Sequence, residues 1–124
     1  MLKPILWAWA LLGVALVGGT AVAGPIDRII VVQPTDLPAY LKEVDTLRGQ
    51  FKKAGVAVTL RVFRATYAGP EAGAIVVAVE VADLATLGKV TELQKSNADI
   101  AATMGRIVKL RKIVSDSLYE ELSP

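Results

Sequence analysis

From Val56 to Val81 the chain alternates with a period of two on either side of a glycine-proline turn, a pattern that fits a pleated strand and no helix. Val56, Val58, Leu60 and Val62 fall on one face, and Ala57, Thr59, Arg61, Phe63, Ala65 and Tyr67 on the other. Ala68-Gly69-Pro70-Glu71-Ala72-Gly73 makes the turn, and Ala74 to Val81 returns with Ile75, Val77, Val79 and Val81 on one side. An antiparallel hairpin with one heavily apolar face is expected, and that face requires a cover of helices.

The flanking segments supply them. Arg28 to Gln33 is a β-branched run of strand length, closed by Pro34. Thr35 or Asp36 then caps a helix in which Leu37, Tyr40, Leu41, Val44, Leu47 and Phe51 recur at spacings of three and four. Lys42, Glu43, Asp45, Arg48 and Lys52 take the opposite face, and Gly55 ends the helix as a left-handed residue. Asp83 caps a second helical region with an apolar stripe through Leu84, Leu87, Val90, Leu93, Ile100, Met104, Ile107 and Val108. Gly88, Gly105 and the polar Lys95-Ser96-Asn97 predict that this region is broken or kinked. Lys112 to Glu120 reads as a last strand.

The resulting order, β-α-β-β-α-β, defines an α+β, ferredoxin-like unit with helices on one face of a four-stranded antiparallel sheet. The second face carries Arg61, Phe63, Ala65, Tyr67, Val76 and Ala78, too apolar a set for free exposure. A homodimer that covers it is the expected partner arrangement, and a chain of this size gains from the extra burial.

The helix Leu37–Ala54 ending at Gly55, the strand Leu60 to Gly69, the strand Val77–Val81 followed by Asp83-Leu84-Ala85, and the closing Val114 to Tyr119 together resemble the dimeric α+β-barrel superfamily. That group includes antibiotic-biosynthesis monooxygenase-like proteins. The resemblance implies that two sheets face each other across a dimer, enclosing an interior that holds a small ligand. It also implies an alternative activity, that of a cofactor-independent monooxygenase or isomerase. The Asn, Trp and His types on which such enzymes rely have no matching position here: Trp7 and Trp9 lie in the N-terminal segment, His is absent, and Asn97 sits in the helical region.

That N-terminal segment, residues 1–23, has a basic start at Lys3, an uncharged stretch from Ile5 to Val17 and a small-residue end at Ala21-Val22-Ala23. This is the pattern of a secretory signal peptide cleaved before Gly24, leaving residues 24–124 as one periplasmic or secreted domain. The rival reading keeps the segment as a membrane anchor. Loss of Lys3 leaves a formal charge near +1, so no polybasic surface for nucleic acid is expected. Without cysteine the domain folds with no disulfide.

Lack of both His and Cys excludes Ser-His-Asp and Cys-His catalysis, ordinary zinc sites and haem ligation by either residue. An all-carboxylate metal site stays open in principle, but no clustering of Asp and Glu favours it, Glu120-Glu121 read as solvated, and no cofactor is expected. The candidate ligand-binding set is Arg61, Phe63, Tyr67, Glu80 and Tyr119. If Tyr67 pairs with Ala74, Arg61 stands directly opposite Glu80 on the barrel-facing side, and a two-residue slip in the pairing would separate them. The functional reading is an arginine held by Glu80 and aimed at an anionic ligand, with Phe63 and Tyr67 alongside. The bland reading is a cross-strand or dimer-interface ion pair that satisfies only itself. Ser115, Ser117 and Tyr119 share one face of the last strand. No neighbouring base activates either serine.

Overall fold

The computed structural model describes residues 24–66 and 69–122. The expected signal segment and Tyr67 lie outside them. Four strands and three helices follow in the order β1 (Ile26–Pro34), α1 (Leu37–Lys53), β2 (Thr59–Arg64), β3 (Ile75–Val81), α2 (Leu84–Ser96), α3 (Ala98–Lys109) and β4 (Arg111–Glu120). The sheet runs β2-β3-β1-β4, with every neighbouring pair antiparallel. The chain thus has an α+β fold built on one open four-stranded sheet.

Local chemistry fixes each helix end. The Asp36 carboxylate accepts the Ala39 N–H at 3.0 Å, satisfying one of the unpaired donors of the first turn of α1. Gly55, at a φ of 79°, turns the chain out of that helix in the left-handed region that a side chain would penalise. Asp83 accepts both the N–H and the hydroxyl of Thr86, at 2.8 and 2.7 Å, and these bonds hold its carboxyl below the usual range.

The expected break in the second helical region falls at Asn97, and α2 and α3 run continuously through Gly88 and Gly105. The Asn97 N–H donates to the Leu93 carbonyl, closing α2. Its side-chain oxygen accepts from the Asp99 and Ile100 N–H groups, opening α3. A single polar side chain therefore makes the break, because it offers the backbone of the next helix a better partner than continuation would.

One face of the sheet forms the core. Ile26, Ile30 and Val32 of β1, Leu60 of β2 and Ile75, Val77, Val79 and Val81 of β3 pack with Tyr40, Val44, Leu47 and Phe51 of α1, Val90 of α2 and Ile100 and Ile107 of α3. Val56 and Val58, expected within a strand, precede β2 and pack against this core half-buried. Arg48 Nε of α1 donates to the Leu60 carbonyl at 2.9 Å, tying helix to sheet, and Arg106 of α3 pairs with Glu43 of α1 at 3.0 Å, tying helix to helix.

The hairpin register differs from the sequence expectation by two residues. Arg61 pairs with Ala78, and the residue opposite Glu80 is Thr59. The strands part after Arg64↔Ile75, with Ala65 donating to the Ala74 carbonyl, so the connection is longer than a turn confined to Ala68–Gly73 and includes a short 3-10 turn at Gly69–Glu71. At the other end of the sheet, Gly24 donates to the Glu121 carbonyl at 3.1 Å. A Cβ at position 24 would stand 2.6 Å from that same oxygen, so the ladder can close there only over glycine. Among the described residues no helix is long and apolar enough to cross a membrane.

Candidate functional site

The two faces of the sheet offer different chemistry. On the open face, away from the helices, stand Asp27, Ile29 and Val31 of β1, Arg61 and Phe63 of β2, Val76, Ala78 and Glu80 of β3, and Ser115, Ser117 and Tyr119 of β4. Arg61 and Glu80 do meet: the guanidinium reaches diagonally across the slipped register to a carboxylate oxygen 2.9 Å away. Both side chains remain substantially exposed. Phe63 stands beside Arg61, 51% exposed.

Tyr119 is 59% exposed on the edge strand, separated from β2 by two intervening strands. It is linked to Glu80 only through Asp27, which pairs with Glu80 on one side and Tyr119 on the other. The sequence reading missed Asp27. One oxygen of its carboxylate is buried with no hydrogen-bond partner, and the like charge of Glu80 lies across from it. Arg61, Glu80, Asp27 and Tyr119 thus make a polar row across an otherwise apolar surface.

A recess that opens to solvent lies on the other side. A cavity of about 100 Å³ sits between the sheet and all three helices, walled by Ile30, Val44, Phe51, Val77, Val90 and Ile107. Its half-buried members, Arg28, Leu87, Gln94, Met104 and Arg111, provide its contact with solvent. A shallower depression lined by Arg28, Leu87, Thr91, Asp116 and Leu118 adjoins it. Exposed Leu118 and Ile113 mark where the helical layer stops short of β4.

Arg28 has the strand parity of Ile26 and Ile30 and so projects toward the helices. Its guanidinium grips Asp116 of β4 through two bonds, Nε to Oδ1 at 2.9 Å and Nη2 to Oδ2 at 2.6 Å. Those bonds hold the Asp116 carboxyl below its ordinary range, and the positive charge of Arg111 adds to the effect. Tyr40 is wholly buried, and its hydroxyl oxygen accepts from Arg111 Nη1 at 3.5 Å. Among the described residues Arg111 has no ion-pair partner within 4.0 Å. The described residues also hold no cluster of three His, Cys, Asp or Glu side chains arranged for a metal ion.

None of Arg28, Tyr40, Gln94 and Arg111 was singled out as a site residue from sequence. The available signal was Arg28, a charge on the core-facing parity of a β-branched strand. Arg111 carried no such signal, because the junction of α3 and β4 was not resolved to the residue.

No family profile matches the chain, and no curated protein does so either. Among solved structures it is similar to a conserved protein of unknown function from Bacteroides thetaiotaomicron, described as a possible oxidoreductase. The TM-score is 0.56 at 12% identity, over 79% of this chain and 98% of the other. At that identity the likeness speaks for the fold alone.

Proposed function

We propose that the protein is an exported, homodimeric small-molecule-binding domain of ferredoxin-like topology, whose ligand occupies the helix-side cavity. The observation that carries this reading is the cavity itself: an apolar chamber inside the core, with Arg28, Tyr40, Gln94 and Arg111 converging on it. Close packing is the norm in protein interiors, so a void of this size in a small domain is a departure that a ligand would account for.

Dimerisation through the open face, in the manner of an α+β barrel, is supported by Phe63, Val76, Ile29 and Tyr119 on one surface and by the unsatisfied carboxylate oxygen of Asp27. In this arrangement Arg61, Phe63, Glu80 and Tyr119 serve the interface. Export is supported by the signal-like residues 1–23.

A second reading, a cofactor-independent monooxygenase or isomerase, draws on the description of the structural neighbour and on the Tyr40 hydroxyl beside the cavity, a group able to polarise a substrate carbonyl. Native mass spectrometry of the protein purified from its own host tests the main reading. The expected species is a dimer of chains beginning at Gly24 with a retained small molecule. A monomer without an adduct would overturn it.

A further inference from the structure

We infer that the helix-side cavity takes a small monocarboxylate with a compact apolar tail, its carboxylate seated against Arg111 and the Tyr40 hydroxyl. This rests on the reading of the cavity as a ligand site and adds the chemical class of the ligand.

The polar groups facing the cavity decide the head group. Arg28 and Asp116 are spent on each other through two bonds. Arg111 is different: among the described residues its one side-chain hydrogen bond goes to the Tyr40 oxygen, at the limit of such a bond, and although its charge also acts on Asp116, two guanidiniums against one carboxylate leave the rim with a surplus positive charge. Tyr40 receives that bond as an acceptor, and no acceptor among the described residues takes its own proton. Unspent capacity at the rim is thus a guanidinium and a phenolic O–H, both donors, with the Gln94 amide beside them. A carboxylate accepts from both donors and neutralises the surplus charge. A cationic ligand would meet two arginines. A dicarboxylate would have to bury its second charge among Val44, Phe51 and Val90.

Volume decides the tail. A cavity of ~150 Å³ takes benzene, so the ~100 Å³ here suits about four carbon atoms. A branched short-chain acid meets both requirements.

Isothermal titration calorimetry with isovalerate and its neutral isostere isovaleramide tests the inference. The acid is expected to bind about tenfold or more tightly than the amide, and Arg111→Gln to abolish that preference. Arg111→Lys, which keeps the charge, is expected to retain part of it and serves if the glutamine variant does not fold. Equal binding of acid and amide, or an undiminished preference in both variants, would overturn the carboxylate assignment while leaving the cavity a ligand site. Failure of both compounds to bind would overturn the assignment and count against the cavity reading with it.

Discussion

The chain contains two phenylalanines, and they stand on opposite sides of the molecule. Phe51, on α1, is 1% exposed and forms part of the cavity wall; Phe63, on β2, is 51% exposed on the open face. Both belong to apolar stripes in the sequence, yet their surroundings assign them different work. On the covered side, side chains from three helices and four strands surround a space and turn donor groups toward it. On the open side the Arg61–Glu80 pair is partly exposed, and its attraction is screened by solvent. Burial of apolar area therefore does not by itself make a site; enclosure together with unspent polar groups does.

Truncating the two rings gives the largest contrast. Phe51→Ala is expected to cost about 3–5 kcal/mol of unfolding free energy in urea titrations, through lost burial and an enlarged void. Phe63→Ala is expected to cost less than about 1 kcal/mol at low protein concentration. If the proposed dimer covers the open face, the cost of Phe63→Ala will rise with concentration. A cost independent of concentration would break that part of the account.

Asp116→Asn comes next, with an expected loss of about 1 kcal/mol, because Arg28 is then left unpartnered beside the cavity while still partly hydrated. The pH dependence has a defined sign. The Asp116 carboxyl is held below its unfolded value, so its contribution is complete above roughly pH 4 and fades as pH falls through the folded value. Stability curves of the wild type and the variant should therefore converge in acid, and parallel curves would contradict the bonding described.

On the open face the effects are smaller. Asp27→Asn removes a like charge across from Glu80 and is expected to raise stability by about 0.5 kcal/mol. Arg61→Ala should lie within about 0.5 kcal/mol of wild type, since that guanidinium is half-exposed. A larger loss in Arg61→Ala would mean that the pair is covered in solution.

What the sequence made legible follows from the range of the interactions involved. The faces of β2 and β3, the α1 stripe and the Asp83 cap are written in spacings of two to four residues, and each was readable. Register depends on how the whole connection after Arg64 is built, so a turn assigned to Ala68–Gly73 displaced the partner of Arg61 by two residues while the long side chain still reached Glu80. Asn97 was visible as a polar interruption, but its action on two helices at once was not. The cavity was not readable at all. It exists because Arg28, Tyr40, Gln94 and Arg111 arrive from four different elements, and no local pattern encodes that meeting.

The central claim is that ligand is held on the covered side of the sheet. Phenylalanine-selective ¹³C labelling gives one ring probe on each face, with Phe63→Ala supplying the assignment. Titration with isovalerate should move the Phe51 ring resonances saturably and leave those of Phe63 in place. Movement of Phe63 with Phe51 unchanged would put the ligand on the open face and contradict the account.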